Sequence, residues 1–167
     1  MRRFVICACI ILINHIIQSS LFQFIEINNI KPNSALIIIV SYAILRGDVE
    51  GAIFGFFAGL LQDIFFGRFI GLNALFYMHI GYFCGKPFKD FYFENYVIPL
   101  VLVLISSFAY DFLVYFTSYF FRGHLDYFFF FSRIILPGAV YNLFVCIPIY
   151  VMVYKINKRI EAKEKGS

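Results

Sequence analysis

The sequence predicts an all-α membrane protein of about six transmembrane helices, and three observations carry that prediction. Of 167 residues, 62% are hydrophobic, 22% aromatic and only 14% charged, which is more apolar than a soluble domain can carry on its surface. Apolar runs of membrane-spanning length recur along nearly the whole chain, which excludes a soluble protein with one large core. The formal charge is +4, yet the Lys and Arg residues sit at the ends of apolar runs and in the tail from Lys155 to Arg159. They read as topology signals, and no nucleic-acid partner is expected.

The first span is expected over residues 4–24. Arg2 and Arg3 precede it as they would a signal peptide, but no A-x-A cleavage site follows and the apolar part is long, so it reads as a retained helix. Asn14 and His15 interrupt it near mid-depth, where a polar side chain is expected to face another helix. After the polar connection of residues 26–33, Pro32 suits the first turn of a second helix over 34–45. Its 12 residues reach only about 18 Å, short of the roughly 30 Å hydrocarbon core.

Arg46, Asp48 and Glu50 belong at an interface, and the third helix follows over 49–66. The run from Arg46 to Leu75 carries Gly47, Gly51, Gly55, Gly59, Asp63, Gly67 and Gly71 at steps of four. On a helix each such step drifts only about 40°, so Gly51, Gly55 and Gly59 form a nearly side-chain-free groove ending in the Asp63 carboxylate. Close helix packing is what such a groove permits, against either this chain or a partner. A short turn at Gly67 and Arg68 leads into a fourth span over 69–85, making a tight membrane hairpin.

The aromatic-rich loop of residues 86–95 suits the headgroup layer. The fifth span, 97–121, carries Asp111 about halfway along, where an acid must find a partner or stay protonated. A sixth span over 134–154 contains Pro137, Asn142 and Pro148, with proline tolerated because neighbouring helices satisfy the freed carbonyls. With six spans, Arg2, Arg3, Arg46, Lys86, Lys89, Lys155, Lys158, Arg159, Lys163 and Lys165 fall on one side, against Lys31, Arg68, Arg122 and Arg133 on the other. The positive-inside rule then puts both termini in the cytoplasm. With no linker or low-complexity tract, residues 1–167 read as a single polytopic membrane domain.

Catalysis needs a nucleophile with a base, paired acids or a metal set. None is visible: Cys7, Cys9, Cys84 and Cys146 lack metal-ligand spacing and read as small buried hydrophobes, and no cofactor is expected. An intramembrane protease built on Asp63 and Asp111 fails on depth, since Asp63 falls near the outer end of its helix and Asp111 near the middle. For Asp63, reaching to the interface or to Arg68 competes with gripping a neighbouring helix. His15 reads as an interhelical hydrogen bond.

The residues Lys31, Pro32 and Asn33 opening the second helix, the run in which Gly55, Gly59, Asp63, Gly67 and Gly71 precede Asn73, Ala74 and Leu75, Asp111 in the fifth helix, and Asn142 and Pro148 in the sixth together resemble the rod shape-determining protein MreD family. The resemblance covers essentially the whole chain, and the glycine and aspartate run is its most specific part. It implies a multi-pass protein of the bacterial cytoplasmic membrane, acting as a non-catalytic scaffold with MreC, the actin-like MreB filaments, RodA and a class B penicillin-binding protein in lateral wall synthesis. It also implies a fold similar to the S-components of energy-coupling-factor vitamin transporters. The chain departs from the family in extending the glycine ladder back to Gly51 and Gly47 and in its Phe and Tyr load.

Two kinds of use are therefore expected. As a scaffold, the chain offers Gly51, Gly55, Gly59, Asp63, Gly67 and Gly71 as a helix-packing or partner interface, with Asp111 and Asn142 as membrane-buried polar groups. The alternative is a small-molecule-binding subunit of the S-component type, to whose pocket Tyr42, Asn73, Tyr77, His79 and Tyr110 could contribute.

Overall fold

The computed structural model describes residues 10–16 and 18, 32–66, 70–86, 97–122, 128 and 131–165. Every regular element among them is helical: α1 (10–16), α2 (Ser34–Arg46), α3 (Asp48–Phe66), α4 (Leu72–Gly85), α5 (Val97–Arg122) and α6 (Leu136–Lys165), the last preceded by a π-helical turn at Phe131–Ile135. Most of the predicted first span, together with Cys7, Cys9, Gly67 and Arg68, lies outside the described residues.

Helix α2 is the hub. It touches α3, α4, α5 and α6, and its sequence ALIIIV is apolar all round, the pattern of a helix enclosed on every side. Leu36, Ile37, Ile39, Val40 and Ala43 have no exposed surface. Its 13 residues make a rod of about 20 Å. The Asn33 side chain caps its start by accepting the Leu36 N–H at 3.1 Å. At its end Gly47 adopts φ 99°, a conformation glycine enters without steric cost, and donates its N–H to Ala43 O at 2.8 Å. One residue later α3 begins, with Asp48 and Glu50 in its first turn where the helix dipole favours acids.

Helix α4 starts at Leu72, later than the expected residue 69, because Gly71 at φ 105° breaks the helical path and turns the chain back along α3. Helix α5 carries Pro99 in its first turn, where the missing N–H costs nothing. Helix α6 continues to Lys165, well beyond the expected residue 154. Its buried residues explain the extension: Ile135, Ala139, Asn142, Cys146, Tyr150, Val153 and Asn157 recur at steps of three and four. That stripe runs unbroken from the apolar part into the basic tail, so packing holds the helix past the end of its hydrophobic run.

Among the described residues two helical segments are long and apolar enough to cross a membrane, Val97–Thr117 and Phe131–Arg159. Around them the distribution of polarity is inverted. Phe57, Ile64, Phe83 and Phe144 are 53–75% exposed, while Asp63 is 1% exposed and Ser107 and Asn142 are buried. Water would reverse that arrangement, and hydrocarbon favours it.

Candidate functional site

The glycine ladder of α3 is filled by α4. A Cβ added at Gly51 would lie 2.6 Å from Ala43 Cβ of α2 and 2.8 Å from Gly81 O of α4. At Gly59 it would lie 2.5 Å from Ala74 Cα and from Asn73 O, and at Gly55 it would run into the Tyr77 carbonyl. The register is antiparallel and constant: each four-residue step up α3 meets four residues down α4, bringing Gly81 against Gly51 and Gly85 against Gly47. Backbone meets backbone along the whole hairpin, the closest approach helices can make in lipid. Gly81 and Gly85 were not read from the sequence as part of the ladder, although their own four-residue spacing is the same signal on the facing helix.

Asp63 closes the open end of this hairpin. Its Oδ2 accepts the N–H groups of Gly71 at 2.8 Å and Ala74 at 3.1 Å, and its Oδ1 accepts the N–H of Asn73 at 3.2 Å. Those are the orphan donors of the first turn of α4, whose N-cap residue Gly71 has no side chain to satisfy them. An acid eight residues upstream supplies the missing cap, placing negative charge at the positive end of the helix dipole. Asp63 therefore turns inward, away from the interface. A Cβ at Gly71 would meet nothing within 4 Å, so glycine there serves the φ of 105° and not a close approach.

From Asp63 a polar network runs through the bundle. Asn73, whose N–H is held by Asp63, accepts the Tyr110 hydroxyl of α5 at 2.8 Å. The Tyr110 ring stacks on Tyr77 of α4 at 5.1 Å, and the Tyr77 hydroxyl donates to Asn33 Oδ1 at 3.0 Å. The Asn33 backbone N–H donates to Asn142 Oδ1 of α6 at 2.7 Å, and Asn142 Nδ2 donates to Ser107 Oγ of α5 at 2.9 Å. Helices α2 to α6 each contribute to this network or hold a residue that caps it. Tyr77, with no exposed surface, and Asn142, 4% exposed, are fully enclosed, so each bond is worth more than it would be in water. Further along, Cys84 Sγ and Ser106 Oγ lie 3.2 Å apart between α4 and α5.

The polar residues thus divide by use. Asn142 sits in the network, whereas Asp111 lies half-buried on α5, within electrostatic reach of Tyr77 and Tyr110. His15 packs its ring on Phe65 of α3 at 4.9 Å. Among the described residues no group of three His, Cys, Asp or Glu could hold a metal. Of the five residues considered for small-molecule recognition, Asn73, Tyr77 and Tyr110 come together but are bonded or stacked with one another and with Asn33, whereas Tyr42 donates to Glu50 at 3.2 Å near the other end of α3 and His79 is exposed with Nδ1 at 2.8 Å from Leu75 O. A cavity between α1, α2 and α3, lined by His15, Phe54, Ala58 and Gln62 among others, has about 10 Å³, room for about one water.

A family model of the rod shape-determining protein MreD matches residues 1–160. The chain belongs to the MreD family. It is accordingly a rod-shape-determining membrane protein, a reading with which the two long apolar helices and the outward apolar faces agree. The MreD match takes in the whole hairpin, the Asp63 cap and every residue of the network. No curated protein and no solved structure matches the chain.

Proposed function

We propose that this MreD-family protein is a non-catalytic scaffold of the bacterial cell-elongation machinery, which holds MreC and, through it, MreB filaments, RodA and a class B penicillin-binding protein during lateral wall synthesis. The observation that carries the reading is the use of the buried acid, amides and hydroxyls. Asp63, Asn73, Asn33 and Asn142 are engaged in holding helices to one another, which suits a rigid body better than a reaction centre. In this reading Gly51, Gly55 and Gly59 pack against α4, Asp63 caps the turn that Gly71 makes, and partners meet the outward faces, where Phe57, Ile64 and Phe83 are exposed.

The membrane topology that goes with it has six spans in one polytopic domain, both termini in the cytoplasm and the capped end of the hairpin near the outer face, as the positive-inside count indicates. A fold similar to the vitamin-transporter S-components is part of the same family-based reading. Depleting the protein in its own rod-shaped host tests it: the cells are expected to round up. Unchanged shape in a host without a second copy refutes the scaffold role.

A further inference from the structure

We propose that His79 is the contact through which a transmembrane helix of a partner protein, carrying a hydroxyl or carboxamide side chain at that depth, docks along the outward face of α4. The inference deepens the scaffold reading and rests on it for the six-span topology and for the existence of a partner. On α4, His79 stands about 200° around from Tyr77, so it points away from the glycine ladder that Ala74, Tyr77 and Gly81 pack against. Leu75, His79, Tyr82 and Lys86 are all exposed, and their spacings of four, three and four residues set them in one stripe. That is the a and d pattern along which one helix receives another.

His79 lies midway between the capped turn near the outer face and the charged turn where Gly85 meets Gly47. Leu72 and Lys86 are each seven residues away, about 10 Å of helix in either direction, and Phe69 and Ile70 carry the apolar run on past Leu72. Its Nδ1 lies 2.8 Å from Leu75 O. A carbonyl oxygen can only accept, so Nδ1 carries the proton and, in the neutral ring, Nε2 is an acceptor. Among the described residues Leu75 is the only hydrogen-bond partner of His79, and its ring otherwise meets that of Phe83 at 6.5 Å. Asn73 and Tyr77 of the same helix are bonded inside the bundle, whereas His79 is turned toward lipid. Hydrocarbon chains offer it no donor, and a polar group at that depth is expected to find one on another helix.

Hydrogen-bond complementarity names the occupant. An acceptor calls for a donor, hence Ser, Thr, Asn or Gln on the arriving helix. A second copy does not supply it: two copies share one orientation in the membrane, so a symmetric contact through this face sets His79 against His79 and acceptor meets acceptor.

The test places a photoreactive phenylalanine analogue at exposed Phe83, beside His79, with exposed Phe144 on α6 as the comparison position, in membranes of the native host. Illumination at Phe83 is expected to give an adduct with another protein whose transmembrane helix has Ser, Thr, Asn or Gln in its middle third, as identified by mass spectrometry. The adduct should fall at least about threefold in His79→Phe, which keeps a ring and removes the acceptor, and persist in His79→Gln. Replacing the partner's donor by alanine should lower it by the same factor, and adding His79→Phe to that change should lower it no further. Any adduct from Phe144 should be unmoved by His79→Phe. The purified His79→Phe protein alone should melt as the parent does, because the helix itself still bonds Leu75 O. No adduct at Phe83, an adduct helix without such a donor, an adduct with a second copy or with lipid only, a yield indifferent to His79 or equally low in His79→Gln, or a lowered melting temperature of His79→Phe alone each overturns the proposal. Cell shape after depletion bears on the scaffold role and leaves this dependence on His79 untouched, so the two can fail separately.

Discussion

Asp63→Ala and Asp63→Asn together test whether the carboxylate is the cap that locks the α3–α4 hairpin. The alanine variant removes three N–H···O contacts of 2.8, 3.1 and 3.2 Å. An exposed cap replaced by alanine costs about 0.5–2 kcal/mol, because water takes over its role. Here Asp63 is 1% exposed and Ala74 has no exposed surface, so the Ala74 N–H loses its partner without gaining water. A hydrogen bond to a charged group contributes about 1.5–3 kcal/mol, and since the three share one carboxylate and are not additive, a loss of about 3–5 kcal/mol is expected. Asparagine keeps one oxygen for Gly71 and Ala74 but turns an NH₂ group toward the Asn73 N–H, so it should cost about 2–3 kcal/mol. At about 2–4 °C per kcal/mol for a chain of this size, alanine should lower the melting point by about 10 °C and asparagine by about 5 °C. Thermal unfolding of the detergent-solubilised protein, followed by size-exclusion chromatography of the fraction still soluble, reads both. An Asp63→Asn variant melting within about 2 °C of the parent refutes the capping role.

The other expectations follow from the same geometry. Gly59→Leu should split the hairpin, since even a Cβ there would sit 2.5 Å from the Ala74 backbone; overpacking of this kind costs about 1–3 kcal/mol or more, and a disulfide trapped between cysteines at exposed Phe56 and Leu75, or its failure to form, reports the change in approach. Asn142→Ala removes the acceptor of the Asn33 N–H and the donor to Ser107. With both partners left inside the bundle, a loss of about 2–3 kcal/mol is expected, read as a melting shift of about 4–10 °C, whereas Phe144→Ala on the outward face should move it little.

The residues differ in how far their roles could be read in advance. The groove on α3 is visible in the spacing of Gly51, Gly55 and Gly59, because helical periodicity is local: residues four apart share a face whatever else the chain does. The apolar runs and the end placement of Lys and Arg are equally local, and they suffice for a helical membrane protein. The likeness to the MreD family could be read from the same run, since it is a pattern of residue types along one stretch.

Which helix fills the groove is another kind of fact. Gly81 and Gly85 carry the same period as Gly51 and Gly55, but periodicity on two helices does not say that they face each other. The direction of Asp63 depended on Gly71 adopting a positive φ and presenting bare N–H groups to a side chain eight residues away. The centrality of the short α2 was hidden as well, because an apolar run of 13 residues reads alike whether it meets lipid or four other helices. Asn33, Tyr77, Ser107 and Asn142 are separated by up to 109 residues, and only the assembled bundle makes them neighbours. The sequence by itself determined which surfaces are smooth, apolar or charged, because those follow from residue type and helical pitch. The tertiary structure decided which surfaces meet and which polar groups are satisfied, because a hydrogen bond depends on the position of both partners and the chain encodes each of them separately.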